Sequence, residues 1–263
     1  YAGFARALQA YARRRFIRWP VGKMKPRPVL LNSWERNYFD LDERRLVREA
    51  DAAAELGVER FVLDDGWFGS RRDDTKGLGD WFAALAIFPN GLRPLSDHVH
   101  AHGMQFGLWY EPEMANPNSD LYRQHPDWAL HVRGRPLLTS RQQIVIDISR
   151  KDVSDYLFAA ISKQVTDWRI DYIKWDFNRD LIEAADAQGR AAYRKQVLAL
   201  YALWDRLHEA HPELEIESCA SGGGRADWGA LAHTQRIWLS DNTSAPSRLR
   251  IQNAGWHFVP PEV

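Results

Sequence analysis

The chain has a single cysteine, Cys219, in 263 residues. One thiol excludes an intrachain disulfide and a cysteine-based metal cluster. Net charge is also lacking, because Lys plus Arg number 35 and Asp plus Glu number 35. A surface for nucleic acid or for an anionic membrane wants a basic excess, so neither partner is expected. No apolar run approaches ~18 residues, so no membrane-spanning helix is expected. Neither G-x-G-x-x-G nor G-x-x-x-x-G-K-[ST] occurs, which weighs against a nucleotide-binding doubly wound sheet. An initiator Met and a signal peptide are lacking too, and Tyr1 suggests a piece of a longer chain.

What the chain has in excess is tryptophan, with 12 residues. Trp offers a flat apolar face and one N–H donor. Sugars present C–H faces ringed by hydroxyls, so Trp suits them, although most of the twelve are expected to fill a core.

Apolar periodicity divides the chain into alternating elements. Residues 1–19 read as a helix and 21–27 as a linker, so 1–27 lead into a single large domain over 28–263. Strands are expected at 28–34, 60–67, 105–112, 171–178, 214–218 and 237–241. Helices are expected at 42–56, 95–102, 151–168 and 193–211. A long loop covers 68–90, and Ile144 to Ile148 read as a short extra strand pair. Buried-type strands joined by helices imply a parallel sheet with right-handed crossovers. Polar residues gather at the carboxyl ends of the strands, the layout of an α/β (β/α)₈ TIM barrel. Only about six β/α units can be read, so the barrel is incomplete, and an open sheet of this kind is expected to fold poorly or stay inactive in isolation.

The strand ends carry the chemistry: Asn32 to Glu35; Asp64, Asp65 and Trp67; Trp109, Glu111 and Glu113; Lys174, Asp176 and Asn178; Glu217, Cys219, Ser221 and Gly222; Ser240 and Asp241. Lys174, Asp176 and Asn178 alternate, so a strand puts all three on one face. A charged face at the end of a buried strand is costly unless it is used. Glycoside cleavage needs two carboxyl groups, one as nucleophile and one to protonate the departing oxygen. Asp176 and Asp241 are far apart in sequence, but barrel strands converge. Lys174 would favour ionised Asp176, whereas an acid partner needs burial or a neighbouring anion. Asp64 and Asp65 leave three readings open. They could accept hydrogen bonds from sugar hydroxyls, which the following Gly-Trp favours, bind Mg²⁺ or Ca²⁺, or form a D-D-G turn. His98, His100 and His102 are read as surface residues that share no helical face. Ser221 to Arg225 lacks a P-loop Lys and reads as backbone that a ligand can approach closely. Cys219 has no His in a partner motif and reads as a small wall residue.

The stretches LNSWE, FVLDDGWFGSRRDD, GLWYEPEM, SR-QQ-IVIDIS, YIKWDFNR, ESCASGGGR and WLSDNTSA, in this order, resemble the catalytic domain of family 36 of the glycoside hydrolases, the α-galactosidases. The resemblance implies a retaining mechanism on terminal α-D-galactosides such as melibiose and raffinose. It implies that Asp176 is the nucleophile and Asp241 the acid/base. It implies that Asp64 and Asp65 hold O4 and O6 of galactose, and that Trp109, Arg141, Lys174 and Asn178 line the sugar site. Cys219 and Gly222 would form its wall and Trp34 its edge. No metal or organic cofactor is implied. The partner is a small-molecule α-galactoside, homo-oligomerisation of the full-length protein is left open, and a cytoplasmic location follows from the bacterial-type family. Ser244 departs from the family's SDNTDA, which bears on the charge around Asp241. Rivals are transfer of the galactosyl group, hydrolysis of an α-N-acetylgalactosaminide, and a sugar-binding module without catalysis.

Overall fold

A computed structural model describes residues 2–19, 22 and 24–263. Tyr1 and Val21, where the expected helix and linker begin, lie outside the described residues. The chain opens with α1 (Ala2–Arg15), followed by β1 (Leu30–Asn32), α2 (Trp34–Asn37), α3 (Glu43–Glu55) and β2 (Arg60–Leu63). Next come α4 (Arg93–Ala101), β3 (Gln105–Tyr110), β4 (Met114–Ala115), α5 (Asp120–Gln124) and β5 (Ile144–Val145). The rest is α6 (Lys151–Trp168), β6 (Tyr172–Trp175), α7 (Tyr193–Ala210), β7 (Glu215–Ser218), α8 (Trp228–Leu231), β8 (Arg236–Ile237) and α9 (Ala245–Gly255).

Six strands form one sheet in the order β1-β2-β3-β6-β7-β8, and every pairing in it is parallel. It is a partial (β/α)₈ barrel with six of the eight strands that a closed one needs. β1 and β8 are the edges. The expected strand pair near Ile144 is present as β5, which pairs antiparallel with β4. The observed strands are shorter than expected. The apolar β2 ends at Leu63, so Asp64, Asp65 and Trp67 belong to the following loop, and the sixth strand ends at Ile237 instead of Asp241. Polar side chains seeking ligands or caps leave the ladder as soon as apolar burial stops.

Local chemistry accounts for the helices. Asp42 caps α3 by accepting from the Arg45 amide at 2.8 Å. Leu46, Ala50 and Ala53 then form its buried stripe. Val153, Leu157, Ile161 and Val165 do the same along α6. These stripes share one core with Phe61, Leu63, Phe106, Leu108, Ile173 and Ile216 of the sheet. Gly107 sits in mid-strand for a steric reason: a Cβ there would lie 2.8 Å from Val62 Cγ2 and 2.9 Å from Tyr172 Cδ1. Half of the tryptophans fill the interior, as Trp67, Trp81, Trp109, Trp128, Trp175 and Trp204 are buried.

The amino-terminal side of the sheet is ionic. Arg60 donates to Glu215 at 2.7 Å and lies over the Tyr172 ring at 4.3 Å, while Arg27 donates to the other Glu215 oxygen at 3.0 Å. Arg236 pairs with Glu217 at 3.0 Å. This charged layer forms a floor, and the long loops stand at the opposite, carboxyl end. α1 packs on the last part of the chain, with Tyr11 against Trp228 (5.8 Å between centroids) and Arg13 on Glu262 (2.8 Å).

Candidate active site

The strand ends enclose a cavity of about 360 Å³. Nine of the eleven residues expected at the site line it: Trp34, Asp64, Asp65, Trp109, Arg141, Lys174, Asp176, Asn178 and Asp241. Cys219 and Gly222 do not, but both touch residues that do.

Asp176 follows β6 directly and is buried. Its Oδ2 accepts from Asn178 Nδ2 at 2.7 Å and Trp109 Nε1 at 3.1 Å, and its Oδ1 accepts from the Phe177 amide at 2.8 Å. Burial pushes this carboxyl up, but the Lys174 ammonium and the bonds from Cys219, Asn178 and Phe177 outweigh it and hold Asp176 below the ordinary carboxylate value. The result is an anion fixed by donors on both oxygens. Cys219 lies against it, and burial, reinforced by the Asp176 charge, pushes the thiol far up. Cys219 is thus a neutral S–H donor and no nucleophile at ordinary pH.

Lys174 touches a different carboxylate from the one expected. Its Nζ donates to Asp64 Oδ2 at 2.9 Å and acts on Asp176 through space. Burial would neutralise this ammonium, yet the Asp64 and Asp176 charges keep it protonated. Asp64 also accepts from Asn32 Nδ2 at 2.6 Å and from the Asp65 amide at 2.9 Å. Asp65 is gripped by Arg71, with Nη2 to Oδ2 at 2.7 Å and Nε to Oδ1 at 3.0 Å. Each of the two carboxylates therefore has its own cation. A divalent metal binds where anionic charge is in excess, so the paired cations disfavour the metal reading of Asp64 and Asp65, both of which line the cavity.

Asp241 lines the cavity from the segment after β8 and is exposed. Its Oδ1 accepts from Trp238 Nε1 at 2.9 Å. Trp238 is itself covered by Arg248, whose guanidinium sits 4.3 Å from the ring centroid. The burial expected of an acid partner is therefore absent, because the segment carrying Asp241 follows the edge strand β8. Gly222 positions this loop from below. It has φ 83°, and a Cβ would meet Ser240 Cα at 2.8 Å and the Asp241 nitrogen at 2.9 Å. The glycine lets the loop after β7 pack on the segment that carries Asp241. Ser244 is exposed at the start of α9, with its amide on Asn242 Oδ1 at 3.0 Å.

Arg141 and Gln142 have φ values of 51° and 60°, a left-handed pair that side chains seldom adopt. This bend turns Arg141 toward the site, where it donates to the Asn178 carbonyl at 3.0 Å and to Ser221 Oγ at 3.3 Å. Trp34 stands edge-on to Phe39, 5.1 Å between centroids, and borders the cavity.

A family model described as Melibiase matches residues 1–263. The chain belongs to the melibiase family. The chain is 45% identical over 261 residues to the alpha-galactosidase of Escherichia coli, covering 99% of this chain and 36% of that protein. It is 48% identical over 233 residues to alpha-galactosidase AgaA of Geobacillus stearothermophilus, covering 87% of this chain and 32% of that protein. The crystal structure of GH36 alpha-galactosidase AgaA matches it with a TM-score of 0.93 at 44% identity, over 97% of this chain and 36% of that one. A substituted AgaA in complex with raffinose gives 0.93 at 43%, again over 97% and 36%. The chain thus spans about a third of the length of the curated relatives it matches.

The sequence reading placed Glu111 and Glu113 among the strand-end carboxylates but gave them no role. Glu111 is fully buried, accepts from Gln143 Nε2 at 3.1 Å and takes the Asn178 amide on its other oxygen. Burial, and next the Asp176 charge, raise its carboxyl to about 8. Glu113 accepts from Arg225 at 2.7 Å and Trp175 Nε1 at 3.2 Å and braces the β6 end. Arg71, Gln143 and Trp238 line the cavity and escaped the sequence reading altogether. Of these three only Arg71 had a local signal, the basic pair that follows Asp64-Asp65-Gly66. The others act through neighbours remote in sequence or through aromatic residues, of which the chain has many.

Proposed function

We propose that this chain carries the catalytic site of a retaining α-galactosidase acting on terminal α-D-galactosyl groups of the raffinose type. The observation that carries the reading is that Asp176 after β6 and Asp241 after β8 line one cavity, together with Asp64 and Asp65 after β2. The names of its relatives support the substrate class, and one related structure is of a complex with raffinose.

In this reading Asp176 attacks the anomeric carbon as the C–O bond to the aglycone breaks, and Asp241 gives its proton to the departing oxygen. Water then attacks the same carbon, Asp241 takes the water's proton, and Asp176 leaves as a carboxylate. The donors on both Asp176 oxygens aim its lone pairs and keep it ionised. The exposed Asp241 can reach both the aglycone and water. Asp64 and Asp65 accept from the galactose hydroxyls, and Trp109 offers an apolar face. A cytoplasmic location and homo-oligomerisation are part of this proposal and rest on the resemblance alone.

The test is azide rescue in the full-length protein with an aryl α-galactoside. Asp176→Ala should abolish turnover, and azide should restore it as the β-galactosyl azide. Asp241→Ala should be rescued with retention, giving the α-galactosyl azide. Formation of the α-azide from Asp176→Ala would overturn the nucleophile assignment. A panel with the 2-acetamido and non-galacto substrates separates this activity from its rivals.

A further inference from the structure

The outer face of the half-barrel holds a cluster that the catalytic reading does not use. Asp51 on α3 lies beside His98 on α4 and His102 just beyond that helix. His98 and His102 are four residues apart and therefore share a face, contrary to the sequence reading, while His100 points elsewhere and bonds Asp171 at 2.7 Å. Both imidazoles meet the same oxygen: His98 Nε2 is 2.7 Å and His102 Nε2 is 3.0 Å from Asp51 Oδ1. The three ligand atoms all lie within 4.8 Å of one another. Their side chains are 32%, 37% and 44% exposed for His98, His102 and Asp51, so an ion can enter without unfolding. None of the three lines the sugar cavity.

We infer that Asp51, His98 and His102 form a surface site for a borderline divalent transition-metal ion of the Zn²⁺ class, which bridges α3 and α4. Imidazole nitrogens with one carboxylate select Zn²⁺, Ni²⁺ or Cu²⁺ over Mg²⁺ and Ca²⁺, which prefer all-oxygen sets. Four-coordinate Zn²⁺ holds N and O ligands at about 2.0–2.1 Å, which places neighbouring ligand atoms about 3.3 Å apart. The two His–Asp spacings open to that by small rotations of exposed side chains. Water would complete the coordination. Two ligands come from α4 and its end and one from α3, so the bound ion ties two neighbouring β/α units of the barrel wall. Binding requires neutral imidazoles and displaces the direct His–Asp bonds. Because the ion binds the folded arrangement, it raises thermal stability by mass action.

The experiment is equilibrium dialysis of the chelator-stripped full-length protein against Zn²⁺, with Mg²⁺ as the control, alongside thermal unfolding at increasing Zn²⁺. The native protein is expected to retain one Zn²⁺ equivalent more than the His98→Gln/His102→Gln double variant, and no additional Mg²⁺. Loss of even an outer-shell partner of a metal ligand costs about 10- to 100-fold in affinity, so His98→Gln, His102→Gln and Asp51→Asn should each weaken that equivalent at least about tenfold. Zn²⁺ should raise the native melting midpoint by more than that of the double variant, and an unchanged circular dichroism spectrum verifies that the variants fold. Equal Zn²⁺ uptake by the native protein and a folded double variant would overturn the site. So would an equal rise in their midpoints.

Discussion

Glu111→Gln isolates the effect of one buried carboxyl beneath the nucleophile. Burial and the Asp176 charge raise Glu111 from the ordinary 4.5 to about 8 in the folded chain. In the unfolded chain it titrates near 4.5. Between these values the folded state holds a proton that the unfolded state has released, so stability falls as pH rises. The contribution is intact below 4.5, declines across the window and is wholly lost above about 8. The slope for one proton is about 1.36 kcal/mol per pH unit, so the native protein loses roughly 2.7 kcal/mol from this group between about pH 5.5 and 7.5. Gln keeps the shape and accepts from the Asn178 amide, but it cannot ionise. Relative to native, Glu111→Gln should therefore gain roughly 2.7 kcal/mol over that interval, equivalent to about 5–11 °C in a domain of this size. Melting both proteins at the two pH values, at one scan rate, measures the difference while the other titrating groups cancel. A variant-minus-native difference that does not change with pH would refute a neutral buried Glu111.

Four further outcomes follow from the site. Lys174→Met leaves Asp64 and Asp176 without their shared cation; it should cost about 3–5 kcal/mol of stability and move the acid limb of kcat/KM to higher pH, because Asp176 loses the cation that favours its ionised form. Trp109→Phe removes one donor to a charged carboxylate, about 1.5–3 kcal/mol, so kcat/KM should fall roughly 10- to 100-fold. Gly222→Ala forces the loop carrying Asp241 outward and strains a positive φ; turnover should drop by at least about tenfold, since small misplacements cost that much, with far-UV circular dichroism unchanged. Ser244→Asp, which restores the family residue at an exposed helix start where Ser and Asp cap about equally, should change stability by less than about 0.5 kcal/mol.

Much of the fold could be read in one dimension. α6 runs over the residues its apolar period marks, and the six main strands follow their apolar runs, because burial on one or both faces writes a period into the chain. The short elements could not be read. α5, α8 and α9 bury little apolar surface or extend only one or two turns, α9 having no buried residue. Their formation depends on caps and on neighbours supplied by the rest of the molecule.

At the site, the residue types were determined by the sequence alone. A carboxylate, amide or aromatic at the end of each apolar strand is set by position in the chain, and parallel strands must bring those ends to one face. The pairings were decided only by the tertiary structure. Lys174 serves Asp64 directly and Asp176 through space, Arg71 neutralises Asp65, Glu111 is buried and raised, and Asp241 is exposed on Trp238. Electrostatic partnership depends on separations of a few ångströms and on local burial. Both arise when segments distant in sequence converge, and no spacing along the chain encodes them.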